Sequence, residues 1–172
     1  MLKNNYKMNK FFLLGLCLML LASCKKTEPK QNEVLQVKES INNVDIVNSV
    51  YAAFASGEIE VFMDLLDPKV EWNEAENFPY ADNSPYIGPD ALKEGVLSRI
   101  GEDWEYWNVG ELELYDMAND MVLATGRYQG KFKKNGNIIN AQVAHIWSLS
   151  EGKIIKFQQY VDTKQVAEAM IE

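Results

Sequence analysis

Ala141–Thr163, AQVAHIWSLSEGKIIKFQQYVDT, is the stretch whose reading decides the fold. Two runs of β-branched and aromatic residues flank the turn Ser150-Glu151-Gly152-Lys153, the pattern of a β-hairpin. Alternation places Val143, His145, Trp147 and Leu149 on one face of the first strand, and Ile155, Phe157, Gln159 and Val161 on one face of the second. A three-residue Glu151-Gly152-Lys153 loop, with Gly152 left-handed, pairs Leu149 with Ile155, Trp147 with Phe157 and His145 with Gln159. A two-residue loop would set apolar residues of one strand against Lys156 and Gln158, so the three-residue loop is expected. The result is an apolar wall carrying two polar groups, one of them the only histidine in the chain. Such a wall lines a pocket or belongs to an imperfect core.

Outward from the hairpin, everything from Trp104 reads as strand: Trp104–Met117, a turn at Ala118-Asn119-Asp120, Met121–Phe132, a turn at Lys133–Gly136, then the hairpin itself. Asp162 or Thr163 can cap a final short helix, Thr163–Ile171. Ahead of the strands, Asp45–Ala55 and Glu58–Leu66 carry apolar residues at helical spacing, stopped by Ser56-Gly57 and Asp67-Pro68. Val70-Glu71-Trp72 is a short strand. The polar, proline-punctuated loop Asn73–Gly88 carries Phe78, Tyr80 and Tyr86, and Pro89–Glu102 is helical with proline at its first position. Helices first and a meander of long antiparallel strands afterwards give the α+β class, with helices packed on one face of a curved sheet.

The first residues read as an address. Lys3, Lys7 and Lys10 precede the apolar run Phe11–Leu21, which is too short to span a bilayer and ends in Leu21-Ala22-Ser23-Cys24. This resembles a bacterial lipobox, whether the start is Met1 or Met8. The resemblance implies that residues 1–23 are a signal peptide and that Cys24 is lipidated, anchoring the chain to a membrane of the bacterial cell envelope, periplasmic or surface-facing. Residues 24–42 are polar and read as a flexible tether. Residues 43–172, roughly 130, suffice for one domain with one core.

Removing the leader takes away three lysines and no acid, moving the formal net charge from −8 to −11. That disfavours nucleic acid and anionic lipid surfaces. Cys17 leaves with the leader and Cys24 carries lipid, so no disulfide or thiol nucleophile is expected. With a single histidine, a zinc site would need carboxylates for nearly all its ligands, so no metal or other cofactor is expected.

FASGEIEVFMDLLDPKVEW, the Gly88-Pro89-Asp90-Ala91 helix start and AHIWSLSEGKIIKFQQYVDT together resemble the SnoaL-like branch of the nuclear transport factor 2-like superfamily, over Asn43 to Ile171. The resemblance implies a cone: a curved antiparallel sheet packed against N-terminal helices, enclosing a pocket, often dimeric through the outer face of the sheet. Relatives include ketosteroid isomerases, polyketide cyclases, epoxide hydrolases, dehydratases and members with no known reaction, so fold leaves function open. The donor, base and acid positions of steroid isomerases fall on Val50, Trp72 and His145. Tyr51 lies one residue from the donor position, a turn of roughly 100° on a helix. In SnoaL-like cyclases the histidine position matches His145, while the aspartate base position falls on Gln159.

His145 is the candidate catalytic residue, as base, acid or hydrogen-bond donor; the alternative is a neutral, packed histidine. Trp72, Tyr80, Tyr86, Trp147, Phe157 and Gln159 are candidate ligand-binding residues for a small, largely apolar molecule. Tyr80 and Tyr86 can equally belong to a loop folded on its own aromatics. Arg127 is expected to pair with Glu111 or Glu113, Asp162 to cap a helix, and Glu71, Glu74 and Glu76 to be solvated. Apolar residues on both faces of the strands point to a homodimer. A non-catalytic binding or interaction module remains the alternative to an enzyme of the lyase, isomerase or hydrolase kind.

Overall fold

The computed structural model describes residues 42–171. The expected leader, nearly all of the tether and Cys24 lie outside the described residues. Helix α1 (Asn43–Ser56) starts where the Asn42 side chain accepts from Val44 N–H at 3.0 Å, a cap worth about 1 kcal/mol. It ends in a left-handed Gly57, φ 74°, with Glu58 N–H donating to the Ala53 carbonyl and Gly57 N–H to that of Phe54. One face of α1 buries Val47, Val50, Tyr51 and Ala53. Helix α2 (Ile59–Asp64) buries Phe62 and leads into β1 (Leu66–Asn73).

After the loop come β2 (Tyr86–Ile87), α3 (Pro89–Leu92), a π-helical stretch (Lys93–Leu97) and α4 (Ser98–Asp103). The long strands β3 (Trp104–Met117), β4 (Met121–Phe132), β5 (Ile138–Ser150) and β6 (Lys153–Val161) follow, then α5 (Thr163–Ala169). Asp162 caps α5, accepting from Gln165 N–H at 3.1 Å.

The six strands form one sheet in the order β2-β1-β6-β5-β4-β3. The expected α+β architecture, a curved sheet against N-terminal helices, is what the structure shows; the strands pair antiparallel except that β1 runs parallel to β6, with Trp72 beside Phe157. The last strand therefore joins the first to the meander. The sheet bends at irregularities that insert extra residues into single strands. One lies between Gly110 and Glu113 of β3, where Glu111 has φ 53°. A Cβ on Gly126 of β4 would lie 2.8 Å from the Gly110 carbonyl oxygen, so this bend requires glycine there.

The deciding hairpin pairs Trp147 with Phe157 and His145 with Gln159, as the alternation requires. Its turn is nonetheless the two-residue one. Glu151 and Gly152 have φ 48° and 80°, as a type I′ turn demands. Leu149 then faces Ile154 rather than Ile155, and a bulge restores the register by Ser148 and Lys156. Ile155 is the extra residue and is 40% exposed, whereas Ile154 is buried.

Candidate functional site

Helix α1, the π-helical stretch, α4 and the inner faces of β1, β3, β4, β5 and β6 enclose a cavity of about 60 Å³. Most of its wall is apolar, from Val50, Phe54 and Phe62 on the first two helices to Val96, Leu97 and Ile100 opposite. Trp72 stacks on Phe157 with ring centroids 3.7 Å apart, and Trp147 meets both rings near its edge. These aromatics fix the floor against which the polar groups are held.

His145 is 3% exposed and bonded at both ring nitrogens. Its Nδ1 lies 2.5 Å from Tyr51 Oη and its Nε2 2.8 Å from Tyr128 Oη. Burial lowers its pKa to about 3, so near neutrality the ring has one N–H and one bare nitrogen. Tyr51 Oη already accepts from Trp147 Nε1–H at 3.1 Å, and Tyr128 Oη from Gln159 Nε2–H at 3.0 Å. The amide orientation of Gln159 is fixed because its Oε1 accepts from Ala75 N–H at 3.2 Å. One phenol must then donate to the bare ring nitrogen while the other accepts from the ring N–H. The accepting phenol keeps a proton of its own, and among the described residues no further acceptor is bonded to it. Whichever tautomer His145 adopts, the relay has one O–H to spare.

The same wall holds a complementary deficit. Glu74 follows β1 immediately, shares the inward parity of Val70 and Trp72, and is 7% exposed. Its Oε1 accepts from Trp72 Nε1–H at 2.6 Å, while Oε2 is buried without a partner. Burial raises its pKa to about 7, against the opposing effect of the Trp72 bond. Tyr128 is raised too, chiefly by burial and next by the charge of Glu74, which places the two groups within electrostatic reach. Tyr51 is likewise pushed up by burial.

Of the expected residues, the structure brings Trp72, His145, Trp147, Phe157 and Gln159 together on the cavity wall. His145 and Gln159 do not bond each other directly; Tyr128 Oη bridges them. Tyr80 and Tyr86 are not on that wall. Tyr80 donates to Asp103 Oδ2 and accepts from Trp104 Nε1–H, and Tyr86 donates to the Tyr80 carbonyl at 2.6 Å. Arg99 closes the loop, bonded to Asp82 and lying 5.0 Å from the Tyr80 ring centre. The loop is folded on its own aromatics.

Glu74 is not solvated with its neighbours, since strand parity carries it inside. Arg127 bonds Asn140 on β5 rather than a glutamate of β3. Sequence reasoning also passed over Tyr51 and Tyr128 as site residues. Tyr51 shares the i, i+3, i+4, i+7 stripe of Val47, Val50 and Phe54, and Tyr128 the inward parity of Val122, Ala124 and Phe132. Among the described residues no group of three or more His, Cys, Asp or Glu is placed to hold a metal ion.

The sequence pattern of the SnoaL-like domain matches residues 47–157. An NTF2-like protein from Burkholderia thailandensis is 35% identical, with a TM-score of 0.70 over 76% of this chain and 98% of that one. A candidate polyketide cyclase from Pseudomonas putida shares 16% identity, with a TM-score of 0.66 over 76% of this chain and 98% of that one, a likeness of fold alone. Among curated proteins, the chaperone protein ClpB of Mycoplasma pneumoniae is 29% identical over 132 residues. That match takes in 76% of this chain, and the chain spans only 17% of the chaperone's length. The chain belongs to the SnoaL-like domain family.

Proposed function

We propose that the domain binds a small, largely apolar carbonyl compound and moves a proton beside its carbonyl group, the chemistry of an isomerase, cyclase or lyase. One observation carries this reading. Glu74 offers a buried acceptor without a partner, and the Tyr51–His145–Tyr128 relay offers a spare proton, on the wall of one cavity. A carboxylate titrating near pH 7 can both take and return a proton there. Glu74 removes the proton from the carbon next to the carbonyl, and the C–H electron pair becomes the new carbon–carbon π bond. The carbonyl π pair moves onto oxygen, whose charge the spare phenol O–H meets. Glu74 then delivers the proton to the same or another carbon, so nothing is oxidised or reduced.

His145 is a positioning residue in this scheme, not the proton mover first expected. A neutral ring with both nitrogens bonded to phenols is poorly placed to act as a base. Deuterium exchange at the carbon beside the carbonyl of butanone, followed by NMR in heavy water, tests the reading. The wild-type chain should accelerate exchange along a pH profile inflecting near 7, and Glu74→Gln should lose about 10²–10⁴-fold. Equal exchange by the two proteins would sink it.

The small free volume favours a second reading, in which the same wall binds a carbonyl compound without turning it over. Ligand-dependent tryptophan quenching with no acceleration of exchange is the outcome that reading expects. Either activity is proposed for a lipid-anchored chain of the envelope, on the strength of Leu21-Ala22-Ser23-Cys24.

A further inference from the structure

We infer that the cavity takes only the head of its ligand, and that the ligand is an amphiphile whose alkyl or similarly narrow apolar tail leaves between α1 and α4. The head-group chemistry rests on the proposed function; the path of the tail does not. About 60 Å³ accommodates on the order of four waters, which is a carbonyl and its flanking carbons and little more. Small-molecule pockets usually span about 300–1,000 Å³, so the remainder of an ordinary ligand has to lie outside.

Two depressions border the cavity, and they differ in kind. One, of about 450 Å³, shares Phe54, Leu97, Ile100 and Trp107 with the cavity wall and continues over Ile59 and Tyr106, with Glu60, Lys93, Ser98 and Glu105 also in its lining. The other, of about 940 Å³, shares Glu74 and Gln159 and runs on over Asn73, Glu76, Asn77 and Ser84. A hydrocarbon tail in the second would cover polar groups without bonding them, a cost smaller in the first, where apolar residues make up most of the lining.

The first mouth also carries the least regular backbone of the helical segment. Leu97 closes the π-helical stretch, a geometry that recurs at functional sites, and both Val96 and Leu97 reach the cavity wall. At the rim the half-exposed Lys93 bonds the exposed Glu60 of α2 at 3.1 Å, tying the two sides of the opening together.

The test is a homologous series of methyl ketones from butanone upward, titrated against the full chain by quenching of its tryptophan fluorescence. Affinity should rise about fourfold for each methylene that enters the depression, then level off once it is filled. Ile59→Glu and Tyr106→Glu, both at the outer end of the path, should flatten that slope while leaving butanone binding unchanged. A series that is flat from the start, or a slope that survives in both variants, overturns the inference. Failure of the exchange chemistry reads differently: Glu74→Gln with undiminished exchange removes the proposed function and leaves the chain-length slope intact.

Discussion

Burial raises the pKa of Glu74 from 4.5 to about 7 and lowers that of His145 from 6.5 to about 3. The folded domain therefore holds the proton of the acid longer than the unfolded chain does, and takes up the proton of the histidine later. The Glu74 contribution to stability is complete below about pH 4.5 and is lost as pH rises through 7. The His145 contribution is complete above about pH 6.5 and is lost as pH falls toward 3. Between about pH 4.5 and 6.5 the two slopes oppose and nearly cancel. Of these two slopes, Glu74→Gln leaves that of the histidine. Its stability in urea melts should fall with pH below about 6.5, while above pH 7 it should exceed the wild type by as much as about 3 kcal/mol. Profiles that coincide would show that Glu74 is not held as described. The relay makes a second prediction at this scale. Tyr51→Phe and Tyr128→Phe each leave one phenol able to accept from His145 and offer its own proton, so each alone should slow butanone exchange only modestly. The double variant should lose about 10²–10³-fold, and additive single effects would contradict the proton count. Glu74 was legible from its parity with Val70 and Trp72, but the charged neighbours Glu71 and Glu76 suggested a solvated cluster. The meeting of Tyr51, Tyr128 and His145 was not legible, because it depends on where α1 lies against the sheet.

Helix and strand order could be read almost throughout, because each long segment carries its own period. Errors concentrate where two local solutions give the same distant pairing. A three-residue loop, and a two-residue loop followed by a bulge at Ile155, both bring Trp147 opposite Phe157. Only the left-handed Glu151 separates them, and a glutamate does not announce that conformation. The long loop was ambiguous for another reason: aromatic residues serve equally in self-packing and in ligand contact. Its anchorage predicts a measurable defect. A Cβ on Gly95 would lie 2.2 Å from the Tyr86 ring, so Gly95→Ala should cost about 1–3 kcal/mol as the π-helical stretch and β2 are forced apart. An unchanged thermal midpoint would mean that the ring yields freely.

On the scale of the whole molecule, Ile138, Ile155, Tyr115 and Tyr160 are exposed on strands of a protein with a formal net charge of −8. A second copy covering such strands is the reading we favour, and sedimentation at tens of micromolar should show a dimer. A monomer throughout would remove it. Cys24→Ala should abolish acyl labelling in cells, and label persisting in that variant would remove the anchor. The parallel pairing of β1 with β6 has a further consequence, one of timing. As a ribosome makes this chain, β1 emerges before its parallel neighbour β6, with β2 to β5 made in between. Until Phe157 is released Trp72 has no ring to stack on, and until Gln159 is released Ala75 N–H lacks its acceptor. The nascent chain can form helices and hairpins, but it cannot form the cavity. Translation that stops short of β6 leaves the inner edges of β1 and β5 unpaired, an open target for proteases.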